Sequence, residues 1–274
     1  MSGAPPAAVA ATGSELAPGR LESVLRKRRD AGHKLLVPYV TGGLGPDWLD
    51  VVRAVAAAGA DAIEIGIPFS DPIMDGPIIQ RASTEALAAG ATPNGIVSAL
   101  ANVDVDVPLA VMTYYNIVLR AGHRRMARTL AEAGVCGAIV PDLPLDELDG
   151  WSEEADAAGI DTVLLTAPTT PPARLKAICA RSRGFLYGVG LMGVTGERAE
   201  LSASALSVAE RCKAATDLPV LIGVGISTAE QAREVATVAD GVVVGSALVH
   251  RLLEGVGPDG AARFVGELRT ALDG

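Results

Sequence analysis

Short β-branched runs recur along the chain, and a stretch rich in Ala, Leu, Glu and Arg at helical spacing separates each from the next. The runs are Leu35–Val40, Ala62–Ile65, Leu109–Met112, Gly137–Val140, Thr162–Leu165, Phe185–Val189, Val220–Ile222 and Gly241–Val244. The helical patterns between and after them include Leu49–Ala58, Arg124–Ala133, Leu145–Ala158, Pro172–Ala180, Ser204–Ala215, Ala229–Val235 and Ala247–Leu253. Near-continuous apolar runs are what strands covered on both faces require. Strands alternating with helices pair in parallel through right-handed crossovers. The pattern therefore predicts an α/β protein. A single (β/α)8 TIM barrel with a parallel eight-stranded sheet is the leading architecture, and an open doubly wound sheet is the alternative.

Two details favour the barrel. No Gly-x-Gly-x-x-Gly follows the first run, so the usual dinucleotide turn of an open sheet is missing. Polar residues and glycines also gather after almost every run: Thr41-Gly42-Gly43, Glu64, Asn116, Asp142, Tyr187, Gly223–Ser227 and Gly245-Ser246. Barrels build their active sites at those C-terminal strand ends. Residues 1–19 are rich in Ala, Pro, Gly and Ser without Lys or Arg, which predicts a disordered tail and no signal peptide. The barrel domain is expected over 20–274. It opens with an N-terminal helix whose Arg26-Lys27-Arg28-Arg29 run reads as a solvated face and end.

One run breaks its own pattern. Ala62-Ile63-Glu64-Ile65 carries a carboxylate in its middle, and the Pro- and Gly-rich segment after it presents Asp71 and Asp75. A charge placed between two apolar layers is costly unless it is paired, protonated or used. A Glu in that position has its pKa raised toward neutrality, as a general acid or base requires. Glu64 could instead cap the turn that follows, and Asp75 could be the N-cap of the segment starting at Pro77.

The late units suggest a ligand. Val244-Gly245-Ser246-Ala247 reads as strand, glycine turn and helix start, Gly223-Val224-Gly225-Ile226-Ser227 repeats it, and Gly193-Val194-Thr195-Gly196 adds a third glycine turn. Amides at helix N-termini bind phosphate, and barrels keep that site in the loops after strands 7 and 8. Ser227 and Ser246 as ordinary helix caps are the plainer reading of each turn alone. Together the turns point to a phosphorylated small molecule.

Composition removes other classes. The chain has 274 residues, 49% of them hydrophobic, and a formal charge of −9, which argues against nucleic acid. No apolar run approaches the ~18–20 residues of a membrane span. Cys136, Cys179 and Cys212 are far apart, fit neither a disulfide framework nor metal spacing, and suggest a reducing cytoplasm. The four lysines, Lys27, Lys34, Lys176 and Lys213, end no strand, so a Schiff-base aldolase lacks its amine. His33, His123 and His250 precede the first strand or fall in loop and helical segments, which disfavours a metal-dependent aldolase or epimerase. Metal-free acid–base chemistry by Glu64, Asp75 and Tyr187 remains. Trp48 and Trp151 fall in helical segments and read as packing.

The stretch from Glu64 through Phe69-Ser70-Asp71 and Asp75-Gly76-Pro77 to Gln80 resembles the signature of the tryptophan synthase alpha subunit. Met112-Thr-Tyr-Tyr-Asn116, Pro141-Asp142-Leu143-Pro144, Gly193–Gly196, Gly223–Ser227 and Gly245-Ser246-Ala247 are similar to its other segments, in the same order, from about Leu21 to the C-terminus. The resemblance implies retro-aldol cleavage of indole-3-glycerol phosphate to indole and glyceraldehyde 3-phosphate, without a cofactor. Glu64 matches the family's acid/base, Asp75 the carboxylate that holds the indole N–H, and Tyr187 its active-site tyrosine. Gly196, Gly225, Gly245 and Ser246 match the phosphate site. Asp71, Asn116, Asp142 and Pro144 match positions facing a beta subunit that holds pyridoxal phosphate and receives indole in an α2β2 complex. Where many family members carry Ser-Arg before the Gly-Val-Thr-Gly turn, this chain has Gly190-Leu191-Met192.

Three functions fit these residues: an alpha subunit working with a partner, a stand-alone indole-3-glycerol phosphate lyase releasing free indole, and a non-catalytic barrel regulating a beta-type partner. A different phosphosugar isomerase is a distant fourth.

Overall fold

A computed structural model describes residues 17–189, 198–223 and 225–274. Eight parallel strands close into a barrel in strict chain order, the first pairing with the last. They are β1 Leu35–Thr41, β2 Ile63–Gly66, β3 Leu109–Met112, β4 Val135–Ile139, β5 Asp161–Thr166, β6 Leu186–Gly188, β7 Val220–Ile222 and β8 Gly241–Val244. Helix α1, Arg20–Asp30, precedes the first strand. Outside the strands follow α2 Trp48–Ala57, α3 Pro77–Ala88, α4 Pro93–Leu100, α5 Tyr115–Ala121, α6 His123–Glu132 and α7 Asp149–Ala157. The ring is completed by α8 Pro172–Arg181, α9 Arg198–Lys213, α10 Ala229–Ala236, α11 Ser246–Leu253 and α12 Gly257–Asp273.

All eight expected strands are present, with ends displaced by at most two residues. The pattern is legible because every strand of a helix-wrapped barrel is apolar on both faces. Helices α3, α4, α5 and α12 lie beyond the segments singled out by periodicity. Pro77, Pro93 and the Gly257-Pro258-Asp259-Gly260 start look like loop, yet Pro in the first turn costs no intrahelical hydrogen bond. The helix expected over Leu145–Ala158 is interrupted: a 3-10 turn, Leu145–Glu147, precedes α7.

Strand alternation sorts side chains into two cores. Ile63, Ile65, Val111, Leu186, Ile222 and Val244 point outward into the layer shared with the helices. Leu35, Val37, Ala62, Ala110, Val163, Phe185, Leu221 and Val243 point inward, and Leu21 and Leu25 of α1 join them. Helix α1 thus plugs the N-terminal end of the barrel. The packing residues Trp48 and Trp151 are 9% and 1% exposed.

The arginine run ends α1 as expected but is not simply solvated. Arg26 donates to Glu22 at 2.8 Å and to Asp217 at 2.6 Å, Arg29 pairs with Asp217, and Arg28 contacts the fully buried Asp61. The run clasps the bottom of the barrel because its acidic partners precede β2 and β7, where the helix lies. Of the expected tail over 1–19, residues 1–16 lie outside the described residues; Gly19 is the N-cap of α1.

Candidate active site

Glu64 lies in the middle of β2, in register with Tyr39 of β1 and Ala110 of β3. Two residues from the inward-facing Ala62, it carries its carboxyl group into the barrel interior. It is 1% exposed, and neither carboxylate oxygen has a hydrogen-bond partner. It caps no turn. Burial pushes its pKa up to about 8, and the nearby Asp75 carboxylate adds to the rise. The group therefore holds a proton near neutrality and releases it readily, which is what proton transfer in both directions requires.

Asp75 reaches the same region from the loop after β2. Gly76, not Asp75, is the N-cap of α3, and no side chain caps that helix, so the capping reading of Asp75 fails. Burial raises the Asp75 pKa, opposed by a hydrogen bond from the Tyr114 hydroxyl. The same hydroxyl accepts from the Met74 amide at 3.1 Å, and the Tyr114 ring stacks on Phe69 at 5.1 Å between centroids. Tyr114, just after β3, therefore anchors the loop at both ends and aims Asp75 at the mouth. Sequence reading quoted Tyr114 only as part of a segment. Its contact with residues 40 positions earlier had no local signal.

Two tyrosines complete the floor. Tyr187 of β6 is buried, tilted against Phe185, and held neutral chiefly by burial with Glu64 next. Its ring occupies the space that a side chain on Gly223 would take. Tyr39 mirrors it from β1 with its hydroxyl over Gly66. Burial, Asp75 and Glu64, in that order, push its pKa far above the usual tyrosine value. Tyr39 was missed by sequence reading, although its place two residues before Thr41 sets it on the inner face.

After β8, two strands round the ring from β2, Gly245 is the N-cap of α11, and no side chain caps that helix, so its first amides are available to an anion. Ser246 is exposed at its first position. Helix α10 differs. Thr228 caps it in a capping box with Gln231, and the Ser227 amide and hydroxyl also go to Gln231 at 2.8 and 3.0 Å. Neither serine is the expected cap. Gly225 has φ +57° at this turn, a conformation glycine adopts without strain. Gly196, with Gly190-Leu191-Met192 and Gly193-Val194-Thr195, lies outside the described residues. Among the described residues no cluster of three or more His, Cys, Asp or Glu is arranged to hold a metal.

A carboxylate pair and a phosphate-type helix start thus share one barrel mouth, separated by β1. The family model for the tryptophan synthase alpha chain matches residues 25–265. This chain belongs to the tryptophan synthase alpha chain family. It is 42% identical to the tryptophan synthase alpha chain of Thermobifida fusca, over 92% of this chain and 96% of that one. The alpha chain of Streptomyces coelicolor is also 42% identical, with 92% and 94% covered. Among solved structures, tryptophan synthase of Mycobacterium tuberculosis superposes with a TM-score of 0.86 at 39% identity, covering 93% of this chain and 98% of that one. The alpha chain of Legionella pneumophila gives 0.84 at 34% identity, with 94% and 98% covered. The chain is accordingly an enzyme of lyase type with the alpha-subunit role in tryptophan biosynthesis.

The four further candidates follow three successive strands, β2, β3 and β4, around the same mouth. Asp71 is exposed and accepts from Ser70 at 2.5 Å. Asn116 is exposed on α5, and Asp142 accepts from the Tyr115 amide at 2.8 Å, tying the loop after β4 to that helix. Pro144 is exposed ahead of the 3-10 turn. Ile73 and Met74, 77% and 38% exposed, project from the loop that carries Asp75. Asn116 and Phe69 also line a groove of about 820 Å³ with Val97, Ile117, Arg120 and Met126. No helix among the described residues is long and apolar enough to cross a membrane.

Proposed function

We propose that this alpha chain cleaves indole-3-glycerol phosphate to indole and glyceraldehyde 3-phosphate by a retro-aldol reaction. One observation carries the reading: a buried, unpartnered carboxyl group that titrates near neutrality, beside a second carboxylate at the mouth of a barrel. Protonated Glu64 gives its proton to C3 of the indole, which becomes tetrahedral and leaves positive charge on the ring nitrogen. The Asp75 carboxylate accepts the ring N–H and stabilises that charge. As the carbon–carbon bond breaks, the electron pair returns to the indole and the side-chain hydroxyl becomes the aldehyde. Its proton passes to the Glu64 carboxylate, which restores the starting state. General acid–base assistance of this kind is worth about 10²–10⁴-fold, and a preorganised countercharge a comparable factor.

Tyr187 walls the substrate opposite Glu64. Gly225, Gly245 and Ser246 bind its phosphate, with the open α11 start as the principal anchor, and Gly196 joins them. Asp71, Asn116, Asp142 and Pro144 meet a beta subunit in an α2β2 complex in the cytoplasm, which accepts the indole. The exposed apolar Ile73 and Met74 support that surface, since they sit on the loop that aims Asp75. A partner that presses on this loop moves the catalytic carboxylate, so binding and rate are coupled. The chain itself needs no cofactor for these proton transfers.

The test is indole release from indole-3-glycerol phosphate by the purified chain, with and without a tryptophan synthase beta subunit. Slow release that rises tenfold or more with the partner is expected. Fast release indifferent to the partner makes the chain a stand-alone lyase, and no release under either condition overturns the catalytic reading.

A further inference from the structure

The groove between α4, α5 and α6 lies outside the barrel, yet Phe69 joins it to the catalytic loop. Its volume of about 820 Å³ is that of a small-molecule site, and Phe69, Val97, Ile117 and Met126 give it an apolar wall. Two arginines share the lining: Arg120 in the last turn of α5 and Arg125 in the first turn of α6. No Asp or Glu lines the groove, although the chain as a whole carries a formal charge of −9. The neighbouring arginines of α6 are already engaged, Arg124 with Glu154 at 3.1 Å and Arg128 with Glu132 at 3.4 Å. Among the described residues, neither Arg120 nor Arg125 has an ion pair or a hydrogen bond. A permanently charged guanidinium fork beside an apolar wall is the complement of an amphipathic acid.

The apolar wall also touches the support of the catalytic loop. The Phe69 ring stacks on Tyr114 with 5.1 Å between centroids, and the Tyr114 hydroxyl accepts from the Met74 amide at 3.1 Å and donates to Asp75. An occupant pressing on Phe69 thus reaches the loop through contacts in series. We propose that the groove binds a small organic acid, with its aryl or alkyl body against the apolar wall and its carboxylate held by Arg120 and Arg125, and that occupancy is transmitted through Phe69 and Tyr114 to the Asp75 loop. The consequence for rate rests on the role given to Asp75 above; the binding site itself does not. Asn116 also lines the groove, so the acid sits at the edge of the surface assigned to the beta subunit.

The chain has five methionines, and two stand where the test needs them: Met126 lines the groove, and Met74 precedes Asp75. Methyl NMR spectra of the full chain labelled at methionine therefore report on both places, with signals assigned by Met126→Leu and Met74→Leu. The probe is 3-phenylpropionate, and 3-phenylpropionamide is its uncharged counterpart. Both methyl signals are expected to shift with a single Kd of about 1 mM or tighter, and the amide to bind about fivefold or more weakly. Arg120→Gln and Arg125→Gln, at exposed positions that the fold does not depend on, should each weaken the acid by a similar factor. No saturation by about 10 mM, equal binding of acid and amide, or indifference to both substitutions overturns the site. A shift of Met74 alone puts the probe in the barrel mouth and overturns the site as well, and a shift of Met126 alone overturns the transmission. The spectra need no turnover, so a chain that fails to cleave indole-3-glycerol phosphate sinks the proposed reaction while the methyl shifts still decide the groove.

Discussion

At Glu64 the chain carries an ionisable group to a depth where neither oxygen finds a hydrogen bond, and the consequences reach both stability and rate. The folded group titrates at about 8, the unfolded one near 4.5. Below the lower value both states hold the proton, and Glu64 contributes nothing to the pH dependence. Between the two values the unfolded chain gives up its proton while the folded chain keeps it, so stability falls as pH rises and levels off above the upper value. Each unit of that interval is worth about 1.4 kcal/mol, so the loss amounts to a few kcal/mol. Glu64→Gln should therefore melt several degrees above the parent at about pH 8.5, the gap shrinking toward pH 5. The same variant should lose about 10²–10⁴-fold in kcat. Thermal scans at the two pH values and steady-state kinetics check both halves; a gap independent of pH contradicts the assigned titration. Glu64 was legible as a candidate because a carboxylate in an apolar run is a local anomaly. Tyr39 and Tyr114 were not, because tyrosine in a buried strand or after one is ordinary until its neighbours are known.

Helix α1 shows what one element contributes to the scaffold. Its start is tied to the barrel in both directions: Asp161 on β5 accepts from the Glu22 amide at 3.0 Å, and the Glu22 side chain accepts from the Gly184 amide at 3.2 Å. Gly19, the N-cap, lies so close that a Cβ there would overlap the Asp161 carboxylate. Its backbone is extended, so the requirement is for space and not for a special φ. Gly19→Ala should undock the start of α1 and cost roughly 1–3 kcal/mol in urea unfolding, with kcat of the folded fraction unchanged. A neutral result would mean that the cap rearranges without loss. At this scale the strands were readable in sequence, since double-sided burial imposes apolar runs. The glycine- and proline-led helices α3 and α12 were not singled out, because their first turns carry residues that elsewhere break helices.

Across the whole molecule, the two ends of the barrel divide the work. At the bottom, Asp61 accepts from the Leu36 amide at 2.7 Å and pairs with Arg269 at 3.1 Å and with Arg28. Asp240 accepts from the Val220 amide and binds Lys213, and Asp161 caps α1. These carboxylates have amide or cationic partners; at the mouth, Glu64 has neither. Asp61→Ala should lower the unfolding free energy by on the order of 2 kcal/mol while leaving kcat within about twofold, the reverse of Glu64→Gln. Denaturant melts and kinetics on the two variants test the division; a large kcat loss in Asp61→Ala would show that the ends are coupled.

The amino-acid sequence by itself determined the eight strands and most of the helices between them, the placement of Glu64 inside an apolar strand, and the glycine turns of the late units. Each is a local pattern, and local patterns survive without knowledge of contacts. Only the tertiary structure decided the rest. It separated Asp75, which enters the site, from the exposed Asp71 four positions earlier. It turned a basic run into a clasp with Asp217, some 190 residues away, and brought Tyr39 of β1, Tyr114 after β3 and Tyr187 of β6 to one carboxylate pair. Those outcomes depend on how the strands are staggered when the barrel closes. Closure is a property of the whole ring, so no window of residues contains it.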